Sequence, residues 1–375
     1  MVSISTLNQH SEERLSVEYI HKQLAKGYLG YDLQTERWTN IEHPDHLSYL
    51  KKHQLNSAYS EKCVLVGQLI NLEVLHKIIH STFASAKHIV VSAHHLHGEF
   101  SQQAIVLELF HASLQVNSHA ADRETADQVE VNSKQYAGSL ISSEVLLDLS
   151  RQYFVDCFKV TNISLSTPGL IVMDMDSTII NMECIDEIAA LAGVGDKVSK
   201  LTERAMQGEL DFNQSLHARL SCLTGVKVTE LENIKSRLPI NPGFAATMAC
   251  LQNKGWITCI ASGGFTYFAD YLKDAFELTY AYSNMLSIDN GSLTGEVHGD
   301  IVDAEMKQQI LLNTREQHSI DPQQTIAIGD GANDLLMMQA AALGVAYKAK
   351  MKVQLAADAN IQYCGFEGLL YCLKP

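Results

Sequence analysis

The chain has 375 residues, 46% hydrophobic and 19% charged, which is typical of a globular protein large enough for more than one domain. Its formal net charge of −15 disfavours nucleic acids and anionic membranes as partners, and no apolar run reaches the ~18–20 residues of a membrane helix. The N-terminus lacks a signal-peptide pattern and the eight cysteines are scattered singly, so we expect a cytoplasmic protein.

The first part of the chain predicts a small α+β module. Residues 1–61 are polar and form an unassigned N-terminal extension, with a helical pattern only near Val17–Leu24. From residue 62 the predicted elements are strand Cys63–Ile70, helix Leu72–Phe83, strands His88–Ala93 and Ala104–Phe110, helix Ser142–Val155 and strand Cys157–Ile163. This β-α-β-β-α-β order indicates a ferredoxin-like module.

A different organisation begins after Pro168-Gly169. Three apolar runs read as buried parallel strands, namely Leu170–Asp174, Trp256–Ala261 and Thr325–Ile328. The first run ends on an acid, and the other two are followed by a serine or an aspartate next to glycine. Because ligands bind beyond the carboxyl ends of such strands, we expect one crevice in an α/β core with a Rossmann-like parallel sheet.

Two further features belong to this core. Residues 182–238, between the first and second runs, predict three or four helices. Tyr280–Ile288 and Ser292–Val297 flank Asn290-Gly291, a pair that favours the tight turn of a hairpin.

The acidic pair Asp174 and Asp176 suggests phosphoryl chemistry. Residues two apart in an extended stretch point the same way, so both carboxylates can face one phosphate. One would attack phosphorus, and its neighbour would donate and later remove a proton. A lone aspartate after a strand more often caps a helix or a turn, but that role does not explain a pair.

Three later segments offer complementary groups. Asp330 and Asp334, in Gly329-Asp330-Gly331-Ala332-Asn333-Asp334, supply hard oxygen ligands suited to Mg²⁺. Ser262-Gly263-Gly264 offers a hydroxyl and unhindered N–H groups to phosphate oxygens. Lys307 would add a positive charge, although alone it would read as a surface lysine.

Together these motifs resemble the haloacid dehalogenase-like phosphatases. Asp174–Thr178 matches the D-x-D-x-T signature, and Ser262, Lys307 and Gly329–Asp334 resemble its later motifs in the expected order. Over residues 168–375 the similarity is greatest to the phosphoserine phosphatase branch, with DxDST, SGGF and GDGANDL. The resemblance implies a catalytic domain with a helical cap at about 182–240. It also implies an ACT-like regulatory or dimerisation domain over 62–165, through which the chain would form a homodimer.

The resemblance also implies the roles of individual residues. Asp174 would be the nucleophile and Asp176 the general acid/base. Mg²⁺ would be held by Asp174, the main-chain carbonyl of Asp176 and Asp330, with Asp334 in support. The substrate would be bound by Glu183, Phe212, Arg219, Ser262, Gly263, Lys307 and Asn333.

The expected substrate follows from the cap. One face of a predicted helix carries Phe212, Ser215 or Leu216, and Arg219. Taken alone, this pattern would suggest that Phe212 and Leu216 belong to the core and that Arg219 lies at its solvent-exposed edge. In the resembling branch, however, this F-x-x-S-L-x-x-R run lies over the active site. Arg219 would bind the substrate carboxylate and Glu183 its ammonium. The implied reaction is hydrolysis of O-phospho-L-serine, the last step of L-serine biosynthesis.

Two alternatives stay open at this point. One is a related phosphatase or phosphotransferase that acts on another small phosphorylated amino acid, such as phosphothreonine or phosphohomoserine. The other is a receiver-like protein that stores a phosphoryl group on Asp174. Storage alone would not require a second acid two residues later, and Asp176 therefore speaks against it. A metal site at His94, His95 and His97 is disfavoured because no partner cluster lies at ligand spacing.

Overall fold

A computed structural model describes residues 2–3, 28–32, 37–41, 60–66, 72–82, 88–93, 104–110, 141–206 and 209–374. Contacts divide the chain into two compact units, Met1–Val160 and Thr161–Pro375. The helical pattern predicted near Val17–Leu24 and the histidines His94, His95 and His97 lie outside the described residues. Within the described ranges, no helix has both the length and the apolar character needed to cross a bilayer.

The first unit is built on one antiparallel sheet. Its strands are β1 Val2–Ser3, β2 Tyr28–Asp32, β3 Arg37–Ile41, β4 Ser60–Val66, β5 His88–Ala93, β6 Ala104–Phe110 and β7 Asp156–Lys159. Its described helices are α1 Leu72–Thr82 and α2 Ser143–Tyr153. The sheet order is β1-β3-β2-β5-β6-β4-β7, and every neighbouring pair is antiparallel.

The predicted β-α-β-β-α-β order is present from β4 to β7, and β5-β6-β4-β7 is the strand order of a ferredoxin-like sheet. The ACT-like assignment stays a prediction. The predicted bounds of β4 and β7 lie a few residues too far towards the C-terminus. Strands β2 and β3 extend the same sheet from a segment in which the sequence predicted no element.

The second unit contains a mainly parallel sheet. Its strands are β8 Leu170–Met173, β9 Ile257–Phe265, β10 Tyr280–Asp289, β11 Ser292–His298, β12 Thr325–Gly329, β13 Leu343–Tyr347 and β14 Ala359–Ile361. The order is β11-β10-β9-β8-β12-β13-β14, in which only β10 and β11 pair antiparallel. The three apolar runs are β8, β9 and β12, the centre of the sheet. Helices cover both faces of such a sheet, and therefore these strands are apolar without alternation. This confirms the predicted α/β core.

Helices surround the sheet and form the insert. They are α3 Cys184–Leu191, α4 Gly195–Met206, α5 Phe212–Ser221, α6 Val228–Lys235, α7 Phe244–Gln252, α8 Thr266–Ala275, α9 Ala304–Gln317, α10 Leu335–Ala340 and α11 Met351–Ala356. Short 3₁₀ helices span Pro322–Gln324, Ala332–Asp334 and Phe366–Cys372. Helices α3 to α6 are the insert, called the cap below, and match the predicted three or four helices. The predicted hairpin is also present, with φ of 47° at Asn290 and 75° at Gly291.

Candidate active site

The carboxyl ends of the three central strands bring the predicted chemical groups to one edge of the sheet. Asp174 directly follows β8, Asp330 directly follows β12, and Ser262 lies near the end of β9. The Asp174 N–H donates to the carbonyl of Ile328 at 2.9 Å, which continues the ladder between β8 and β12. Because neighbouring parallel strands end at the same edge, these side chains lie side by side.

Lys307 connects two of the acids. Its Nζ donates to Asp174 Oδ1 and to Asp334 Oδ1, both at 2.7 Å, and its side chain is 0% exposed. Helix α9 positions it, since the Asp303 side chain caps the helix by accepting from the Met306 N–H at 3.0 Å. Burial alone would lower the pKa of Lys307, but the negative charges of Asp174 and Asp334 more than offset this effect. The net result is a pKa above the ordinary value for a lysine. The lysine therefore stays cationic inside the site.

Three carboxylates converge around this lysine. One oxygen from each of Asp174, Asp330 and Asp334 lies within 4.8 Å of the others. Burial and repulsion from Asp174 and Asp334 raise the pKa of Asp330 to about 8. The pKa of Asp334 is raised to about 6, also by burial and by Asp174. Three carboxylates facing one ammonium leave an excess of negative charge, and a hard divalent cation such as Mg²⁺ fits that donor set.

Asp176 is a buried acid with two other acids near it. Burial, followed by repulsion from Glu183 and Asp174, raises its pKa well above the ordinary value for an aspartate. Such surroundings favour the protonated form of the carboxyl group. Asp174 and Asp176 are therefore close in sequence but differ in environment, since Lys307 binds Asp174 while burial and nearby acids surround Asp176.

Ser262, Gly263 and Gly264 form a bulge. Ala261 pairs with Tyr282 and Phe265 pairs with Asn284, so four steps along β9 face two along β10. The three residues between leave the ladder. A β-carbon on Gly264 would lie 3.0 Å from Asp176 Oδ2, so the bulge lies against the proposed general acid.

The cap closes over this bulge. A β-carbon on Gly263 would lie 2.9 Å from Phe212 Cζ, which places the first residue of α5 above the loop. Arg219 lies further along the same helix, and its Nε donates to the Ser215 carbonyl at 3.3 Å. Glu183, which precedes α3, accepts a hydrogen bond from the Ser177 hydroxyl at 2.6 Å. The site thus has acids, a buried lysine and a hydroxyl below, with an arginine and a glutamate above.

Arg219 and Glu183 are close enough to affect each other electrostatically. Burial lowers the pKa of Arg219, while Asp186, Glu183 and Asp176 oppose that shift. Among the described side chains, none forms an ion pair with Arg219 within 4.0 Å. The guanidinium is therefore placed among acids without being bound by one of them.

One predicted residue is less directly placed. Asn333 lies half-buried in the 3₁₀ helix Ala332–Asp334, with its Oδ1 folded close over Gly331. Asp334 in the same turn accepts from the Gly331 N–H at 2.9 Å. Asn333 therefore lies beside Gly331 and Asp334 in the turn that follows β12.

Two residues of the site were missed by the sequence analysis. Asn284 contacts the bulge from β10, and Ser177 binds Glu183. A lone asparagine in a strand carries no recognisable signal. For Ser177 the sequence offers only its place inside the D-x-D-x-T motif, which was quoted without a role for it.

Comparison with known proteins gives a consistent result. Residues 168–342 match the sequence profile of the haloacid dehalogenase-like hydrolases. The chain is 48% identical over 247 residues to a phosphoserine phosphatase of Haemophilus influenzae, covering 63% of this chain and 79% of that protein. It is 52% identical over 210 residues to one from Vibrio cholerae, covering 56% and 64%. A crystal structure of a probable phosphoserine phosphatase from Vibrio cholerae superposes with a TM-score of 0.63 at 33% identity, over 93% of this chain and 95% of that one.

Proposed function

The chain belongs to the phosphoserine phosphatases of the haloacid dehalogenase-like hydrolases, and we propose that it hydrolyses O-phospho-L-serine to L-serine and phosphate through an aspartyl-phosphate on Asp174, with Mg²⁺ as cofactor. One observation carries the proposal. The buried Lys307 ammonium binds Asp174 and Asp334 at 2.7 Å each, within the cluster of three carboxylates. The same reaction would complete L-serine biosynthesis.

The first half-reaction uses both members of the acidic pair. An oxygen of Asp174 attacks phosphorus, and the bond from phosphorus to the serine oxygen breaks. Asp176, which burial keeps protonated, gives its proton to the departing oxygen, so that serine leaves as a neutral alcohol.

The second half-reaction returns the enzyme to its starting state. Asp176, now a carboxylate, takes a proton from a water molecule as that water attacks the phosphorus of the aspartyl-phosphate. The phosphorus–oxygen bond to Asp174 breaks, phosphate leaves and Asp176 is protonated again. Ser262, the Gly263 N–H and Lys307 bind the equatorial oxygens throughout, where charge stabilisation is most valuable.

The acid cluster is the proposed metal site. Asp174, the Asp176 main-chain carbonyl and Asp330 would hold Mg²⁺, with Asp334 in support. Bound Mg²⁺ neutralises charge on the phosphate oxygens. Thr178 supports this arrangement, because its hydroxyl reaches Asp330 Oδ1 at 3.4 Å.

Substrate choice is assigned to the cap. A phosphorylated amino acid presents a carboxylate and an ammonium, and Arg219 and Glu183 offer the two opposite charges. Phe212, against Gly263, would exclude water from the phosphoryl group. Asn333 is assigned to the substrate side of the same crevice.

The decisive test is phosphate release with Mg²⁺ from a panel containing phosphoserine, phosphothreonine, phosphohomoserine and phosphoethanolamine. Phosphoserine should have the highest kcat/KM, and a different preferred ester would overturn the substrate assignment. Asp174→Asn should abolish both turnover and acid-stable phosphoprotein. A phosphoprotein that forms on the wild type but never turns over would favour phosphoryl storage instead.

The first unit is proposed to be an ACT-like domain that regulates the enzyme or joins two copies of it. The antiparallel β5-β6-β4-β7 order supports this assignment. Sedimentation velocity of the full chain, with and without L-serine, tests it. A monomer that does not respond to serine would argue against both roles.

A further inference from the structure

Asn284 is a buried side chain that bonds to two separate parts of the candidate site. It is 1% exposed. Its Nδ2 donates to the Gly263 carbonyl at 2.8 Å, and its Oδ1 accepts from the Val302 N–H at 2.8 Å. We propose that Asn284 is a positioning residue that fixes the phosphate-binding bulge relative to the helix carrying Lys307; the inference rests on the proposed function.

The first bond orients the bulge. Since Ser262, Gly263 and Gly264 leave the ladder between β9 and β10, the Gly263 carbonyl needs another donor, and Asn284 supplies it. The Gly263 carbonyl and the Gly264 N–H belong to one planar peptide, so fixing one fixes the other. That N–H donates to Ser262 Oγ at 3.0 Å. With its oxygen occupied in this way, the Ser262 hydroxyl directs its own hydrogen to another acceptor, which would be phosphate.

The second bond fixes the start of α9. Val302 directly precedes Asp303, whose side chain caps the helix and whose carbonyl accepts from the Lys307 N–H at 2.9 Å. Lys307 therefore lies one helical turn beyond Asp303, the residue next to the one that Asn284 binds. A single carboxamide thus sets the separation between the Ser262 hydroxyl and the Lys307 ammonium, the two groups proposed to bind the same phosphoryl group.

The chemistry of position 284 explains why asparagine is required there. The site needs one donor and one acceptor at the end of a short side chain, which is what a carboxamide offers. Asn284→Ala loses both the donor and the acceptor and adds neither bulk nor charge. Asn284→Leu keeps a similar size and loses both.

A purely structural role would also satisfy these buried groups, so the test must separate stability from positioning. The variants are Asn284→Ala and Asn284→Leu. The matched control is Asn360→Leu on β14, because Asn360 is also buried, at 7% exposed, and its Nδ2 donates to the Gln354 carbonyl at 3.1 Å. The measurements are the thermal midpoint, kcat and KM for phosphoserine, and calorimetric titration of inorganic phosphate into the Mg²⁺-loaded protein.

We expect both Asn284 variants to lose on the order of 10²-fold in kcat/KM, the cost of misplacing catalytic groups by about 1 Å. Their affinity for inorganic phosphate should fall with it, while the Mg²⁺ concentration for half activation stays unchanged. Asn360→Leu should lower the thermal midpoint and leave phosphate affinity and kcat/KM as in the wild type. Asn284→Ala decides the question if Asn284→Leu fails to fold.

The inference is overturned if folded Asn284 variants bind phosphate and turn over substrate like the wild type. This outcome differs from failure of the proposed function. If the wild type rejects phosphoserine while the Asn284 variants still bind inorganic phosphate more weakly than the wild type, the substrate assignment fails and the role of Asn284 stands.

Discussion

Ser177 has a backbone conformation that residues other than glycine seldom adopt. Its φ is 57°, in the left-handed region. Two hydrogen bonds hold it there, from its N–H to the Met182 carbonyl at 3.0 Å and from its hydroxyl to Glu183 Oε1 at 2.6 Å. Strained backbone that the surroundings maintain often marks a functional position. Here the strained conformation directs the Ser177 hydroxyl towards Glu183, the acid proposed to bind the substrate ammonium.

Ser177→Ala should therefore weaken recognition of the ammonium without disabling phosphoryl transfer. We expect KM for phosphoserine to rise roughly two- to tenfold, since one hydrogen bond contributes about 0.5–1.5 kcal/mol. The kcat should change little. Steady-state kinetics on phosphoserine and on phosphoglycolate, which lacks an ammonium, would measure the effect.

The comparison of substrates is the control for this variant. Phosphoglycolate should show no rise in KM, because Glu183 has no cation to bind there. Ser177→Gly, which relieves the left-handed strain but also lacks the hydroxyl, should behave like Ser177→Ala. An equal loss on both substrates would mean that Ser177 supports the neighbouring Asp176 instead.

At the scale of elements, one end of the cap is bound to the hairpin β10–β11 by its main chain. The Gly225 N–H donates to the Leu293 carbonyl and the Leu293 N–H to the Val226 carbonyl, both at 2.8 Å. The Val228 N–H donates to the Gly291 carbonyl at 3.0 Å. The connection between α5 and α6 thus continues the sheet edge, and it anchors the helix that carries Arg219.

Gly295 allows this close approach. It has a φ of 85°, and a β-carbon there would collide with Thr224 Oγ1 and lie 3.1 Å from the Leu220 carbonyl, at the end of α5. Gly295→Ala should lower the free energy of unfolding by more than the ~1–2 kcal/mol of left-handed strain alone. It should also raise KM for phosphoserine, because α5 must shift. Urea denaturation and steady-state kinetics measure the two effects.

Gly299→Ala provides the matched control. Gly299 has a φ of 79°, but a β-carbon there has nothing within 4 Å. Gly299→Ala should lower the free energy of unfolding by the backbone strain alone, and it should leave KM for phosphoserine unchanged. If the two alanine variants proved equal in both measurements, the contact between the hairpin and the cap would have no role in placing Arg219.

The sequence predicted the parts of the fold and the site that depend on local pattern. β8, β9 and β12 were recognisable because burial on both faces leaves continuous apolar runs, and Asp174, Ser262 and Asp330 were predicted from their places near the ends of these strands. The cap residues were predicted only from the family resemblance. β2 and β3 were missed because each has only five residues, and neither shows the clear alternation of apolar and polar residues that marks a strand. Lys307 was identified only together with the other motifs. Asn284 could not be, because its role depends on two contacts that exist only in the folded chain.

At the scale of the whole molecule, the net charge of −15 is accompanied by a local excess of buried acid. Asp330 and Asp334 have pKa values raised to about 8 and about 6, from an ordinary value of 3.8. In the absence of metal the folded protein therefore binds more protons than the unfolded chain between about pH 4 and 8. Stability from these groups is fully present below pH 4 and is lost as the pH rises through the folded-state values.

The metal-free protein should accordingly lose stability as the pH rises from 6 to 8. The slope is at most about 1.4 kcal/mol per pH unit for each proton involved. Mg²⁺ should raise the thermal midpoint more at pH 8 than at pH 6, because it replaces protons that have already left the acids. Thermal unfolding in EDTA and in Mg²⁺ across this range measures both effects.

Asp330→Asn should flatten the slope of stability against pH in EDTA and remove most of the gain in thermal midpoint from Mg²⁺. Asp300→Asn, at an exposed acid outside the cluster, should do neither. A midpoint in EDTA that rises from pH 6 to 8 would contradict the presence of protonated acids in the metal-free site.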